Sequence, residues 1–171
     1  MSDMNFELRA RVDEDGFVAL VCPDTYQGFV NEDWTLEQVL SRFVEQMGAG
    51  ALFAIYPGPD VADMSVRISD VPSSATAWRE VSGLVRVGEG GLWLTDYTQL
   101  TMAAQFQDSR PIEDGRIDHI RLPIPSGVYQ ITARQFSRSY EDEIEPAVEL
   151  IFVPADPSEN HASFKEVPWF S

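Results

Sequence analysis

The sequence predicts a mainly β protein of the α+β class: an antiparallel β-sandwich or barrel of roughly nine strands, with one amphipathic helix at 35–47. Three observations predict it. Short apolar or alternating segments, rich in β-branched and aromatic residues, recur along the chain between clusters of Gly, Pro, Asp and Ser. Only one segment carries a clear apolar stripe of helical period. Strands and helices do not alternate, so a parallel sheet is not expected. No repeat, low-complexity tract or linker interrupts the pattern, and 1–171 reads as a single domain.

The elements follow in order. Residues 6–12 (FELRARV) put Phe6, Leu8, Ala10 and Val12 on one side and Glu7, Arg9 and Arg11 on the other, a strand with one wet face. After the acidic turn Asp13-Glu14-Asp15-Gly16, residues 17–22 (FVALVC) read as a more buried strand that closes an opening hairpin. Residues 23–33 are loop. Leu36, Val39, Leu40, Phe43, Val44 and Met47 then form the helical stripe. Thr35 with Gln38 makes a capping box, Trp34 with Val39 a hydrophobic staple, and Gly48 and Gly50 stop the helix. Strands are expected at 51–56, 64–68 and 78–87.

The stretch 81–102 reads as the centre of the fold. Leu84, Val85 and Val87 lead into Gly88-Glu89-Gly90-Gly91, and Leu92, Trp93 and Leu94 lead out, which predicts a tight hairpin. Residues 98–106 (TQLTMAAQF) fit either a strand or a short helix. Residues 108–118 read as an exposed loop, 117–124 and 128–136 as strands, and 148–153 (VELIFV) as a buried last strand. Phe164, Val167, Trp169 and Phe170 predict that the tail docks back onto the body.

Charge is the strongest global signal. Twenty-eight acids against twelve bases leave a net charge of −16. Phosphate backbones and anionic membranes are repelled by such a chain, whereas a basic protein partner is attracted and steered in faster. No apolar run has the length of a membrane span, and the N-terminus lacks the basic and greasy pattern of a signal peptide, so a cytoplasmic protein is expected. The single cysteine, Cys22, lies in an apolar run and reads as a buried thiol.

Chemical machinery is not evident. The only histidines, His119 and His161, have no ligand spacing, and His119 falls on the side of its strand away from Ile120, Leu122 and Ile124. No metal, cofactor, phosphate loop or nucleophile elbow is expected, and the chain does not read as an enzyme. What remains is surface. Glu141-Asp142-Glu143 with Glu145 forms an acidic loop beside Tyr140, a docking patch for Lys or Arg with an aromatic anchor. Asp13-Glu14-Asp15 is a second acidic loop of the same kind.

Residues 120–136 (IRLPIPSGVYQITARQF) resemble the C-terminal part of competence protein J. There a strand ends in a proline-glycine turn and the next strand opens with Gly-x-Tyr; here these are Leu122-Pro123-Ile124-Pro125 and Gly127-Val128-Tyr129-Gln130. The strand, turn and strand of 81–94 fit the family's order. The resemblance implies an acidic inhibitor that binds a basic DNA-entry nuclease, similar in use to the immunity proteins of bacterial toxins. Two other readings stay open: a small-molecule or carbohydrate-binding sandwich with Trp93, Tyr97 and Tyr129 in a cleft, and a subunit of a larger assembly or a homodimer.

Overall fold

The structure, a computed structural model, describes residues 6–113, 115, 119–158 and 164–170. Along the chain run β1 (Glu7–Arg11), β2 (Val18–Val21), α1 (Leu36–Gly48), β3 (Leu52–Ile55), β4 (Ser65–Ser69), β5 (Arg79–Val87), β6 (Trp93–Thr95), α2 (Tyr97–Gln105), β7 (Ile120–Arg121), β8 (Gly127–Gln135) and β9 (Val148–Pro154). The strands form two open sheets. One has the order β1-β4-β9-β8-β5 and the other β3-β2-β6-β7. Among the described residues no barrel closes, so of the two expected architectures the layered one is found.

Both expected hairpins are absent. β1 pairs with β4, while β2 lies between β3 and β6 in the other sheet. The turn after β1 therefore carries the chain from one sheet to the other. β5 likewise pairs along its length with β8, from Arg79↔Gln135 to Val87↔Gly127, and not with β6. The physical reason lies in burial. All four residues of β2 are buried, so this strand needs neighbours on both edges and a cover on both faces. A chain neighbour with one wet face cannot supply that.

The glycines 88, 90 and 91 have a different use from the one expected. The Gly90 N–H donates to Asp24 Oδ2 at 2.6 Å, and a Cβ on Gly90 would lie 2.2 Å from Asp24 Oδ1. Glycine is needed because a carboxylate sits against the backbone, and Gly91 adds a left-handed φ of +83°.

One pair, β4 with β9, is parallel, from Val66↔Val148 to Ser69↔Ile151. The other strand pairs are antiparallel, as expected. β9 arrives from far along the chain, so no βαβ unit is required to place it.

α1 has the predicted capping box: Thr35 Oγ1 accepts from the Gln38 N–H at 3.2 Å, and Gln38 Oε1 accepts from the Thr35 N–H at 2.9 Å. Its Val39, Phe43 and Met47 are buried in the core shared by both sheets. The undecided segment is the helix α2, capped by Asp96. The sheets approach closely where β5 has Gly83, whose missing Cβ would lie 2.9 Å from the Phe53 ring of β3. Ile112, expected in an exposed loop, is instead a core residue at 2% exposure. The tail docks as expected: the Tyr56 N–H donates to the Pro168 carbonyl at 3.0 Å, and Phe170 packs on Tyr56 with centroids 4.8 Å apart.

Candidate functional site

The turn after β1 is built around one carboxylate. Asp13 Oδ1 accepts from the Phe17 N–H and its Oδ2 from the Tyr97 N–H, both at 3.0 Å. It thus ties the crossing between sheets to the first turn of α2. Asp96 stands next to it, accepting from the Gln99 N–H at 2.7 Å as the α2 cap. The third carboxylate comes from Asp63, which adopts a left-handed φ of +67° and donates its N–H to the Val12 carbonyl at 3.0 Å. Aspartate tolerates that conformation better than most residues.

Together these segments enclose a cleft of about 390 Å³. Its polar walls are Asp13, Glu14, Asp15, Asp63 and Asp96 with Thr98, and its apolar floor includes Phe17, Val18 and Leu94. Arg11 is the one base among the described residues lining it. Burial raises the Asp13 carboxyl above its ordinary value, and the charges of Asp15 and Asp96 add to the rise against the two N–H donors. Burial also raises the Tyr56 and Tyr97 hydroxyls, with Asp13 and Asp15 adding to both and Asp60 to Tyr56. The negative field of this cleft therefore extends to the neighbouring aromatic side chains.

The second predicted cluster comes to the same neighbourhood. Residues Tyr140–Asp142 form a 3-10 turn. The Tyr140 hydroxyl donates to the Ala62 carbonyl, one residue before Asp63. The acidic loops at 13–15 and 140–145 thus flank the segment 59–63, which adds Asp60 and Asp63 between them. Two of the predicted acids, although exposed, hold backbone N–H groups of this chain. Glu145 accepts from the Ser65 N–H at 3.0 Å, and Asp142 accepts from the Arg138 N–H at 2.6 Å. Glu14, Asp15, Glu141 and Glu143 are exposed. Asp63 and Asp96 were not singled out by the sequence. Asp96 had a signal, since Asp96 and Gln99 repeat the spacing of Thr35 and Gln38. Asp63 had none.

His119 is not on a wet face: its side chain is fully buried, with Nδ1 accepting from the Glu113 N–H at 2.8 Å and Nε2 lying 3.3 Å from Asp96 Oδ2. The acceptor role of Nδ1 assigns the proton to Nε2, which donates to the carboxylate that walls the cleft. His161 lies outside the described residues. Among the described residues no three His, Cys, Asp or Glu side chains are grouped to hold a metal ion. Cys22 is buried, and burial pushes its thiol up to about 12, far from a reactive thiolate. The three aromatics considered for a ligand cleft serve separate structural contacts. Trp93 Nε1 donates to the Gly90 carbonyl at 2.9 Å, Tyr97 stacks on Phe17 at 4.8 Å, and the Tyr129 hydroxyl donates to the Pro125 carbonyl at 2.7 Å. Among the described residues no helix is long and apolar enough to cross a membrane.

The fold and site define a class: an α+β protein of two open sheets, one mixed and one antiparallel, with an acidic cleft where the chain crosses between them. Among solved structures, a chain described as crocagin biosynthetic gene J is similar with a TM-score of 0.52, at 13% identity over 88% of this chain and 96% of that one. ComJ, inhibitor of the DNA degrading activity of NucA, from Bacillus subtilis, is similar with a TM-score of 0.47, at 13% identity over 86% of this chain and 92% of that one. At these identities the likeness is one of fold. No family model matches the chain, and no curated protein matches its sequence.

Proposed function

We propose that this protein is an inhibitor of the immunity type, which holds a basic protein partner, a nuclease or secreted toxin, against its acidic cleft. The cleft carries the reading: five carboxylates face one arginine in a concave site on a chain of net charge −16. Carboxylates held at this density offer a cationic nucleic-acid-binding surface the kind of negative field that phosphates offer, without a scissile bond. The overall charge steers such a partner inward, and the partly apolar floor keeps the local dielectric below that of water. In this reading the chain works in the cytoplasm as one domain, binds no nucleic acid itself, and presents Glu141 and Glu143 as an outer rim.

The test is direct inhibition. A basic nuclease encoded beside this gene is purified alone and given plasmid DNA. An equimolar amount of this chain is expected to stop degradation at low salt and to act more slowly at high salt. The Asp15→Asn/Asp63→Asn double variant is expected to slow association more than it speeds dissociation. Degradation unchanged at saturating chain, or inhibition indifferent to both salt and the double variant, sinks the reading.

A further inference from the structure

We propose that an apolar groove between α1 and the C-terminal segment receives an apolar anchor of the same basic partner, which makes the binding surface two-part; this rests on the acidic-cleft reading above. The apolar stripe of α1 is wider than its core face. Val39, Phe43 and Met47 are buried, but Leu36, Leu40 and Val44 form a second row one turn apart, and Leu36 is 48% exposed. Val167 and Phe170 form the opposite wall, and the groove encloses about 490 Å³. Leu40 and Val44 are partly buried against the core, so the groove is a concave apolar site open at Leu36.

Two observations choose the occupant. The first is continuity. Phe170 stacks on Phe17 with centroids 5.7 Å apart, and Phe17 is part of the floor of the acidic cleft. The contact between these two rings links the wall of the groove to the floor of the cleft, which places the two sites side by side on the protein. The second is charge. The groove's rim carries Glu37 and Glu166 against Lys165, on a chain of net charge −16. A second copy would bring the same net charge against this face, which opposes self-association. A segment with Leu, Ile or Phe one helical turn apart, flanked by Lys or Arg, gains from both features.

The test uses three fluorescein-labelled peptides of equal length: one with Leu at i and i+4 and Lys between, one with the same Leu and Glu between, and one with Ser in place of Leu and Lys kept. Anisotropy is read against the wild-type chain, Leu36→Glu, Ser41→Trp and Asp15→Asn/Asp63→Asn. Ser41→Trp fills the groove without removing a core contact, and thermal melts check that each variant is folded. The Leu/Lys peptide is expected to bind wild type about tenfold more tightly than either of the others, and to lose about that factor with Leu36→Glu and with Ser41→Trp. Equal binding of the Leu/Lys and Ser/Lys peptides overturns the groove while leaving the cleft. Binding of Leu/Lys that falls with Leu36→Glu but is unchanged in Asp15→Asn/Asp63→Asn overturns the two-part surface, while the cleft reading is decided separately by the nuclease inhibition test. A concentration-dependent dimer of the wild type that Leu36→Glu abolishes gives the groove to a second copy and overturns the proposal.

Discussion

Asp13 serves two purposes at odds with each other. Its oxygens hold the Phe17 and Tyr97 N–H groups, while burial and the charges of Asp15 and Asp96 make its ionised form costly. Its carboxyl titrates higher in the folded chain than in the unfolded one. It therefore contributes stability that is present below the ordinary carboxylate value and is lost as pH rises through the raised value. Against an Asp13→Asn variant, the wild type is expected to be relatively more stable at acid pH, with the gap shrinking through that window and flat above it; melting temperatures across pH measure this. Glu149 is a buried acid with charged partners. It is fully buried on β9, with Arg67 Nη1 at 2.8 Å, Arg134 also in contact and the Ser73 N–H donating at 3.3 Å. Glu149→Ala removes the buried anion that two guanidiniums share. Among the described residues this leaves Arg67 with only the exposed Glu7 as an acidic partner and Arg134 with only the exposed Glu80, and a loss of about 3 kcal/mol in urea unfolding is expected. An apolar run with one acid inside, as in 148–153, shows that the acid has partners but not which strands hold them.

At the scale of elements, α1 was the most legible part of the chain, because its cap and stripe are local and agree with one another. Thr35→Ala is expected to cost about 1 kcal/mol through the lost cap. The segment 81–94 was the least legible. Its composition fits a hairpin, yet the glycines answer to Asp24, distant in sequence. A coupled pair tests this. Gly90→Ala is expected to destabilise the wild type, and to cost clearly less in an Asp24→Gly background, as a double-mutant cycle of unfolding free energies would show. Equal costs in both backgrounds would mean that backbone conformation alone requires the glycine. The helix α2 was half legible: its apolar residues are ambiguous in period, and only the Asp96 and Gln99 pair distinguishes it from a strand.

For the molecule as a whole, the two sheets and α1 share one buried cluster, from Leu20 and Phe53 to Ile131 and Phe152. Unfolding is therefore expected to be one cooperative transition, with tryptophan fluorescence and far-ultraviolet circular dichroism coincident in urea. Two separated transitions would show that the sheets hold together independently. Among the described residues the chain crosses between the sheets four times, at 12–17, 56–64, 88–92 and 122–126, and the first two crossings contribute Asp13, Glu14, Asp15 and Asp63 to the acidic cleft. That site is made by topology. Asp13, Glu14 and Asp15 were visible as a cluster, whereas Asp63 and Asp96 join them only because Val12 holds the Asp63 N–H and α2 begins beside β2.

What the sequence determined alone was whatever depends on near neighbours: the strand-rich class, the capped helix, the docking tail, the buried thiol and a surplus of acid. The tertiary structure decided which strands pair, that β4 and β9 run parallel, that His119 is buried against Asp96, and that two acidic loops flank one segment. The reason is range. Periodicity and capping are set by residues within one or two turns, but a strand buried on both faces has no preference written in its own residues for one edge over another. Pairing is settled by the whole core, and the cleft is a consequence of that settlement.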